Sequence, residues 1–212
     1  LRMNTDYNDM VKKKRTKNWI NNHRKDKYVK LSQSGDYRSR AFHKLHEIDK
    51  KYQILKSTKS ILDLGSSPGS WSEYISRNYH GKNLIAIDVI DMKPIEGVQF
   101  IKGSINNMDD RRKIISKIGK ADLVLSDIAP NITGIEDVDQ ANFIEILESI
   151  LSICTNLLKI NGVLVMKFFI GSSYDFARVT LNKSFDRVLS YKPDSSRSKS
   201  NETFFVCNGY KR

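Results

Sequence analysis

Apolar and polar positions along this chain of 212 residues repeat with two different periods. Continuous apolar, β-branched runs predict strands, and apolar residues spaced three and four apart predict helices. The predicted strands are 60–64, 84–88, 98–101, 122–126 and 163–169, with weaker candidates at 187–189 and 203–207. The predicted helices are 71–79, 109–118, 174–183 and 139–159, the last of which should end at Asn161 and Gly162. Strands that alternate with helices and are apolar on both faces predict an α/β fold, with a mostly parallel sheet flanked by helices on both faces.

A further helix is predicted before the first strand, beginning at Asp36. Its apolar residues are Phe42, Leu45, Ile48, Tyr52 and Leu55, and their spacing places them on one face of the helix. Asp49 follows the same spacing. The polar residues 1–17 predict a flexible basic segment. Residues 18–212 are then expected to form a single domain, in which 18–59 is a basic extension that includes this helix and 60–212 is the core.

The net charge of +12 is concentrated in the N-terminal part of the chain. Residues 1–59 hold 17 Lys and Arg against 6 Asp and Glu, whereas residues 60–212 hold 19 against 18. A local excess of cations predicts a polyanionic partner, because neutralised phosphates release counterions. For the run 12–15 taken alone, a solvated tail or the remnant of an organelle-targeting segment fits equally well.

Composition also restricts the expected compartment. No stretch reaches the roughly 20 apolar residues that cross a bilayer, so no membrane partner is expected. Cys154 and Cys207 are 53 residues apart, each within an apolar pattern, and we interpret them as small buried residues. Free cysteines favour a reducing intracellular compartment, which is the cytoplasm, an organelle matrix such as that of the mitochondrion, or the nucleus.

A cofactor site is predicted where the first strand ends. Gly65 and Gly69 follow this strand, and glycines there let the backbone approach a ligand at the carboxyl edge of the sheet. Asp88 ends the second strand, 23 residues after Gly65, where its carboxylate can accept both hydroxyl protons of a ribose. The third glycine of the dinucleotide fingerprint is missing and Pro68 would crowd a pyrophosphate, which favours S-adenosylmethionine over NAD. A plain strand–turn–helix without a ligand is the alternative.

Two charged residues stand out near the ends of the next two strands. Asp127 follows the fourth strand, just before Ala129 and Pro130, and either caps a helix or faces the same cavity. Lys167 lies in the apolar run 163–169, where burial of an unpaired ammonium would cost several kcal/mol. It either snorkels at the strand end or reaches Asp127, since adjacent strands are about 4.8 Å apart.

Ordered segments of the chain resemble the FtsJ (RrmJ-type) family of ribosomal RNA 2′-O-methyltransferases. They are Trp19, His23, Asp26 and Tyr28 with the run 38–45, the cofactor loop 63–71, and the runs 126–131, 165–171 and 192–197. The resemblance implies a Rossmann-like S-adenosylmethionine methyltransferase fold. It also implies 2′-O-ribose methylation of RNA, first of all of a uridine in large-subunit ribosomal RNA, with S-adenosylhomocysteine as the product.

The same resemblance assigns residues to the site. The implied catalytic tetrad is Lys44, Asp127, Lys167 and Glu202. The implied cofactor contacts are Gly65, Ser67, Pro68, Gly69, Trp71, Asp88, Ser104 and Asp127. Ser104 stands where the family has an acid, which predicts weaker cofactor affinity, and Ser70 replaces a glycine. The predicted RNA contacts are Arg38, Arg40, Lys192, Arg197 and Lys199, and no metal is expected.

The implied chemistry is in-line transfer of a methyl group to a ribose 2′-oxygen, in which Lys167 either takes the hydroxyl proton or orients the hydroxyl. Burial and Lys44 favour the neutral amine, whereas Asp127 and Glu202 favour the ammonium, so both roles stay open. Rival functions are methylation of a tRNA anticodon loop or an mRNA cap, a non-catalytic ribosome-assembly factor and, more remotely, an NAD-linked dehydrogenase. A monomer that acts on ribosomal RNA or the large ribosomal subunit is expected.

Overall fold

The structure is a computed structural model that describes residues 37–130, 133–197 and 199–212. The described strands are β1 (Ser60–Leu64), β2 (Asn83–Asp88), β3 (Val98–Lys102), β4 (Ala121–Ser126), β5 (Leu158–Phe169), β6 (Phe185–Tyr191) and β7 (Glu202–Tyr210). The described helices are α1 (Ala41–Tyr52), α2 (Ser70–Asn78), α3 (Met108–Ile118), α4 (Glu136–Leu157) and α5 (Tyr174–Ser184). The predictions for residues 1–17, for Trp19 to Tyr28 and for a helix start at Asp36 lie outside the described residues.

All seven strands belong to one sheet, in the order β3-β2-β1-β4-β5-β7-β6. The pairs from β3 to β5 are parallel, and β7 is inserted antiparallel between β5 and β6. The predicted mostly parallel sheet is therefore confirmed. The chain order reverses direction between β1 and β4, and open α/β sheets bind ligands at the carboxyl ends of the strands beside such a switch point.

Helices cover both faces of the sheet, as the strand pattern predicts. On one face, Ile114 of α3, Leu147 of α4 and Leu181 of α5 pack in one apolar cluster. On the other face, Leu45 of α1 and Ile75 of α2 pack in a second cluster. Burial of each such aliphatic side chain contributes about 1.5–3 kcal/mol, so the two clusters hold the helices to the sheet. None of the helices described here has the length and apolar character needed to cross a membrane.

Two predicted helix ends are wrong. Helix α1 ends at Tyr52, because Gln53 adopts a left-handed conformation with φ 52°, although Leu55 is still buried beyond it. Helix α4 ends at Leu157 instead of 159, and Asn161 and Gly162 lie inside β5 at a register shift against β4. An Asn-Gly pair favours left-handed backbone, and Asn161 has φ 63°. Left-handed backbone occurs at strand irregularities as well as at helix ends. The Asn-Gly pair was therefore wrongly interpreted as the end of the helix.

Candidate active site and cofactor cavity

The turn between β1 and α2 lies close to the segment that follows β4. Gly65 has φ +68°, and a Cβ added there would lie 2.5 Å from Ile128 Cγ1. Gly69, which precedes the first residue of α2, has φ +103°, and its Cβ would lie 2.8 Å from Met92 Sδ. A side chain at either position would meet both a strained backbone and a steric clash. Glycine at both positions therefore lets this turn pack closely against the segments beside it.

Asp88 organises the same turn from the end of β2. Its Oδ2 accepts a hydrogen bond from the backbone N–H of Ser67 at 2.9 Å, and its Oδ1 accepts one from Ile90 at 2.8 Å. A carboxylate oxygen has lone pairs for more than one hydrogen bond. Asp88 can therefore hold the turn and still accept the hydroxyl protons of a ribose.

A cavity of about 600 Å³ opens at the carboxyl ends of β1, β2 and β4. Its polar lining includes five of the predicted cofactor residues, which are Gly65, Ser67, Asp88, Ser104 and Asp127. Its apolar lining includes Val89, Ile90, Ile105 and Ile128, and α4 closes one side with Asn142, Glu145, Ile146 and Ser149. The volume lies within the usual range for small-molecule sites.

The charges around the cavity suit a cationic ligand without phosphates. Asp88, Asp127 and Glu145 line it, and of the described residues no lysine or arginine does. A dinucleotide would place its pyrophosphate among carboxylates, which is unfavourable. S-adenosylmethionine instead offers a ribose for Asp88, an adenine for the apolar walls and a positive sulfonium for an acidic surrounding. The residues present therefore fit this cofactor.

Three of the predicted cofactor residues do not line the cavity. Trp71 is only 2% exposed, and its indole N–H donates to the carbonyl of Ala41 at 2.9 Å. Its ring packs beside Phe204, so Trp71 joins α1 and α2 to the sheet. Pro68 and Gly69 shape the turn from outside the cavity, and Ser67 is the member of this turn that reaches it together with Gly65.

The four predicted catalytic residues form two ion pairs on one face of the sheet. The Nζ of Lys167 lies 2.9 Å from Oδ1 of Asp127 and 2.5 Å from its carbonyl oxygen. The Nζ of Lys44 lies 2.7 Å from Oε1 and 2.8 Å from Oε2 of Glu202. Lys167 is paired across the strands with Phe204, two residues beyond Glu202, so Lys167 and Glu202 are diagonal neighbours. Diagonal neighbours are about 7–8 Å apart, which brings the two pairs together.

Both ion pairs are largely shielded from water. The side chains of Lys44 and Glu202 are 10% and 12% exposed, and those of Lys167 and Asp127 are 9% and 22% exposed. Two cations are paired with two anions, and charges that are shielded from water are tolerated only when they are paired in this way. The alternative that Lys167 snorkels freely at the strand end does not fit this geometry.

The tetrad borders two separate openings. Asp127 lines the cofactor cavity, whereas Lys44 and Glu202 line a second cleft of about 220 Å³. The other lining residues of this second cleft are Arg40, Phe169, Arg197 and Ser200. An arrangement in which one group of charged residues lies between two openings suits a transfer reaction between two ligands.

The predicted RNA contacts fall into two groups. The guanidinium of Arg38 donates to the carbonyls of Pro68 at 3.0 Å, Lys93 at 2.7 Å and Pro94 at 2.7 Å, and that of Arg40 donates to the carbonyl of Ser195. These two arginines hold the protein's own backbone. In contrast, Lys192, Arg197 and Lys199 are exposed between β6 and β7, where Lys192 also donates to the carbonyl of Ser200 at 2.7 Å.

Asp63 is a buried acid beneath the site, and no motif considered above assigns it a role. It lies inside β1, and its Oδ2 accepts a hydrogen bond from the hydroxyl of Ser72 at 2.7 Å. Burial raises its pKa to about 7, with a further contribution from the negative charges of Asp127 and Asp88. The signal that could have found it is the one that found Lys167, a charged residue within an apolar strand.

Comparisons with known proteins agree with this geometry. The solved structure of fibrillarin from Methanococcus jannaschii superposes with a TM-score of 0.55 at 15% identity over 75% of this chain and 70% of that one, which shows a common methyltransferase fold. The profile of the FtsJ-like methyltransferases matches residues 37–210. The chain therefore belongs to the FtsJ-like methyltransferase family, whose methyl donor is S-adenosylmethionine.

Individual relatives cover nearly the whole chain. The ribosomal RNA large subunit methyltransferase E of Marinobacter nauticus is 39% identical over 95% of this chain and 99% of its own length. Its counterpart in Pelagibacter ubique is 41% identical over 93% of this chain and 98% of its own length. A crystal structure described as a ribosomal RNA methyltransferase from Plasmodium falciparum superposes with a TM-score of 0.73 at 34% identity, covering 82% of this chain and 98% of that one.

Proposed function

We propose that this chain transfers the methyl group of S-adenosylmethionine to the 2′-oxygen of a ribose, in a uridine of large-subunit ribosomal RNA. The observation that carries the proposal is the tetrad of Lys44, Asp127, Lys167 and Glu202, which lies between an acidic cavity and a second cleft with two arginines. The names of the bacterial relatives supply the substrate class.

The two openings divide the binding work. In the cofactor cavity, Asp88 binds the ribose hydroxyls and Asp127 lies beside the reacting end. In the second cleft, Arg40 and Arg197 attract the phosphates on either side of the acceptor nucleotide, so that its 2′-hydroxyl points toward Lys167. S-adenosylmethionine, when bound, supplies a methyl group on a positively charged sulfur. Alignment of the hydroxyl oxygen with that methyl group is the main contribution of the protein.

Lys167 is the residue that we assign to the hydroxyl proton, either as the group that takes it or as the group that orients the hydroxyl. When Lys167 is an ammonium, two of its three N–H groups donate to Asp127, one to the carbonyl oxygen and one to Oδ1. We assign the third N–H group to the acceptor hydroxyl. In the charged form Lys167 orients the hydroxyl and the proton leaves to water, and in the neutral form Lys167 takes the proton. A pH profile of the transfer rate separates the two forms, because only the second requires loss of a proton from the enzyme.

The basic N-terminal part is the proposed RNA-docking region. Residues 1–59 carry 17 Lys and Arg against 6 Asp and Glu. Lys192, Arg197 and Lys199 are further exposed cations, and Arg197 lines the second cleft. We place the flexible segment at 1–17 and a single domain at 18–212, with 18–59 as the RNA-contacting extension and 60–212 as the core. We further propose that the chain acts as a monomer, in a compartment that contains ribosomes or their precursors.

Transfer of labelled methyl groups tests the proposal. Wild-type protein, Lys167→Ala and, as a control, Lys183→Ala on α5 are incubated with ribosomal RNA, large subunits, tRNA and capped mRNA. We expect label in the 2′-O position of ribosomal RNA or of the subunit, lost in Lys167→Ala and kept in Lys183→Ala. Label in tRNA or in the cap alone would identify a rival substrate. Absence of label with every RNA, despite binding of S-adenosylmethionine, would favour the assembly factor.

A further inference from the structure

The turn between β6 and β7 is bound to the rest of the protein more tightly than a surface connection requires. The turn 193–196 is closed by a hydrogen bond from the N–H of Ser196 to the carbonyl of Pro193 at 2.9 Å. Pro193, Ser195 and Ser196 are buried, and Ser195 is fully so. Connections usually run over the surface, and a buried one needs partners for its backbone polar groups.

Helix α1 supplies partners for this backbone. Its Glu47 accepts the N–H of Asp194 on Oε2 at 2.6 Å and the N–H of Ser195 on Oε1 at 3.0 Å. Arg40, at the start of the same helix, donates to the carbonyl of Ser195. Arg40, Lys44 and Glu47 are spaced four and three apart, so they share one side of α1. The side of the helix that carries the catalytic lysine therefore also holds the turn.

The same turn also reaches the catalytic acid. The hydroxyl of Ser196 donates to Oε1 of Glu202 at 2.8 Å, and Lys44 donates to Oε2 at 2.8 Å. The Lys44 ammonium also lies 2.7 Å from Oε1, so this oxygen has one partner from the turn and one from α1. Because Glu202 is held from two elements at once, it cannot move toward either without losing a hydrogen bond, and Ser196 therefore restricts the position of Glu202 and, through it, the position of the Lys44 ammonium.

We propose that Ser196 and Glu47 are positioning residues of the methyl-transfer site. Glu47 holds the turn 193–196 against α1, the turn presents Ser196, and Ser196 holds Glu202 in register with Lys44. This inference rests on the proposed function of the tetrad. It assigns a positioning role to the run 192–197, whose exposed residues were predicted only as RNA contacts. Neither Ser196 nor Glu47 needs to contact a substrate in this role.

Kinetics of four variants test the inference. Ser196→Ala removes the hydrogen bond to Glu202 and should lower kcat roughly tenfold, the value of one hydrogen bond to a charged group. Its KM for S-adenosylmethionine should stay within about twofold of wild type, since the cofactor cavity does not include the turn. Ser196→Thr keeps the hydroxyl and should restore most of kcat. Glu47→Gln keeps one acceptor oxygen and should lower kcat about threefold, because only one of the two N–H groups stays paired, and Glu47→Ala should lower it further.

Matched controls and a structural readout complete the experiment. Ser116→Ala on α3 and Glu148→Gln on α4 change exposed side chains far from the turn in the fold and should leave kcat unchanged. Hydrogen exchange at the amides of Asp194 and Ser195 should become faster in Glu47→Gln and in Glu47→Ala, whether or not the variant is active.

The outcomes separate the inference from the proposed function. An active wild type with unchanged kcat in Ser196→Ala would overturn the inference alone. The inference also fails if Ser196→Ala loses activity together with thermal stability and Ser196→Thr does not restore it, since that result describes a structural role. A wild type that methylates no RNA would overturn the proposed function, and the exchange at Asp194 and Ser195 would then show whether Glu47 holds the turn at all.

Discussion

The two sides of the active site are built by different means. On the cofactor side, backbone groups dominate: Gly65 and Gly69 let the turn pack closely against Ile128 and Met92, and Asp88 holds the turn through the backbone N–H of Ser67. On the acceptor side, side chains from distant parts of the chain pair with each other, such as Lys44 with Glu202, 158 residues apart. The glycine turn of the cofactor side is encoded in one local segment, whereas the acceptor side depends on how α1 and β7 are placed.

The largest effect is expected where the two sides meet. Lys167→Ala removes the ion pair with Asp127. Within the tetrad, Lys167 is the side chain that donates to Asp127. The transfer rate should fall at least about 100-fold, as is usual when a proton-handling or orienting group is lost. Binding of S-adenosylhomocysteine, measured by calorimetry, should be nearly unchanged because Lys167 does not line the cofactor cavity. Loss of cofactor affinity in this variant would show that the two sides are not separable.

The next effect isolates the cofactor side. Gly65→Ala places a methyl group 2.5 Å from Ile128 at a positive φ, and the affinity for S-adenosylhomocysteine should fall about tenfold or more. Gly97→Ala is the matched control, because Gly97 has φ +74° with nothing within 4 Å of an added Cβ. Both variants carry the backbone strain, and only the first distorts the cavity. Equal cofactor affinity in the two variants would contradict the tight-turn interpretation.

A smaller effect decides on which side Arg38 acts. Its guanidinium donates to three carbonyls that lie beside the cofactor turn, although the sequence predicts an RNA contact. Arg38→Ala should raise KM for S-adenosylmethionine about fivefold and leave KM for the RNA within about twofold. Arg178→Ala, at an exposed arginine of α5, controls for loss of positive charge. The reverse split between the two KM values would return Arg38 to the acceptor side.

The last prediction concerns the stability of the fold beneath the site and has no direct effect on catalysis. Asp63 has a pKa of about 7 in the folded protein, against about 3.9 in an unfolded chain. Between these values the folded state binds more protons, so the free energy of unfolding falls as pH rises, by up to about 1.4 kcal/mol per pH unit. Asp63→Asn removes this loss and keeps an acceptor for Ser72. Denaturant unfolding at pH 5 and pH 8 should therefore show that the free energy of unfolding of the variant increases relative to that of wild type as pH rises. An equal change in the free energy of unfolding of the two proteins would rule out a neutral Asp63.

The sequence alone predicts the elements and one side of the site. Alternating strand and helix periods give the sheet, because burial on one or both faces leaves a direct trace in the order of apolar residues. The position of Asp127 and Lys167 near strand ends predicts their contact, since neighbouring parallel strands end at one edge. Trp71 shows the limit of resemblance to a family: the resemblance implied a cofactor contact, while the indole N–H of Trp71 donates to the carbonyl of Ala41 and its ring is buried.

Only the tertiary structure decided the acceptor side. Lys44 and Glu202 look like ordinary charged residues in their own segments, and resemblance to a family was needed to select them. Glu47 and Ser196 carried no signal, because their partners are backbone groups and a carboxylate in other parts of the chain. The physical reason is that a periodic pattern records which face of an element is buried. It does not record which residue of a distant helix will lie against a strand that is inserted antiparallel between two others.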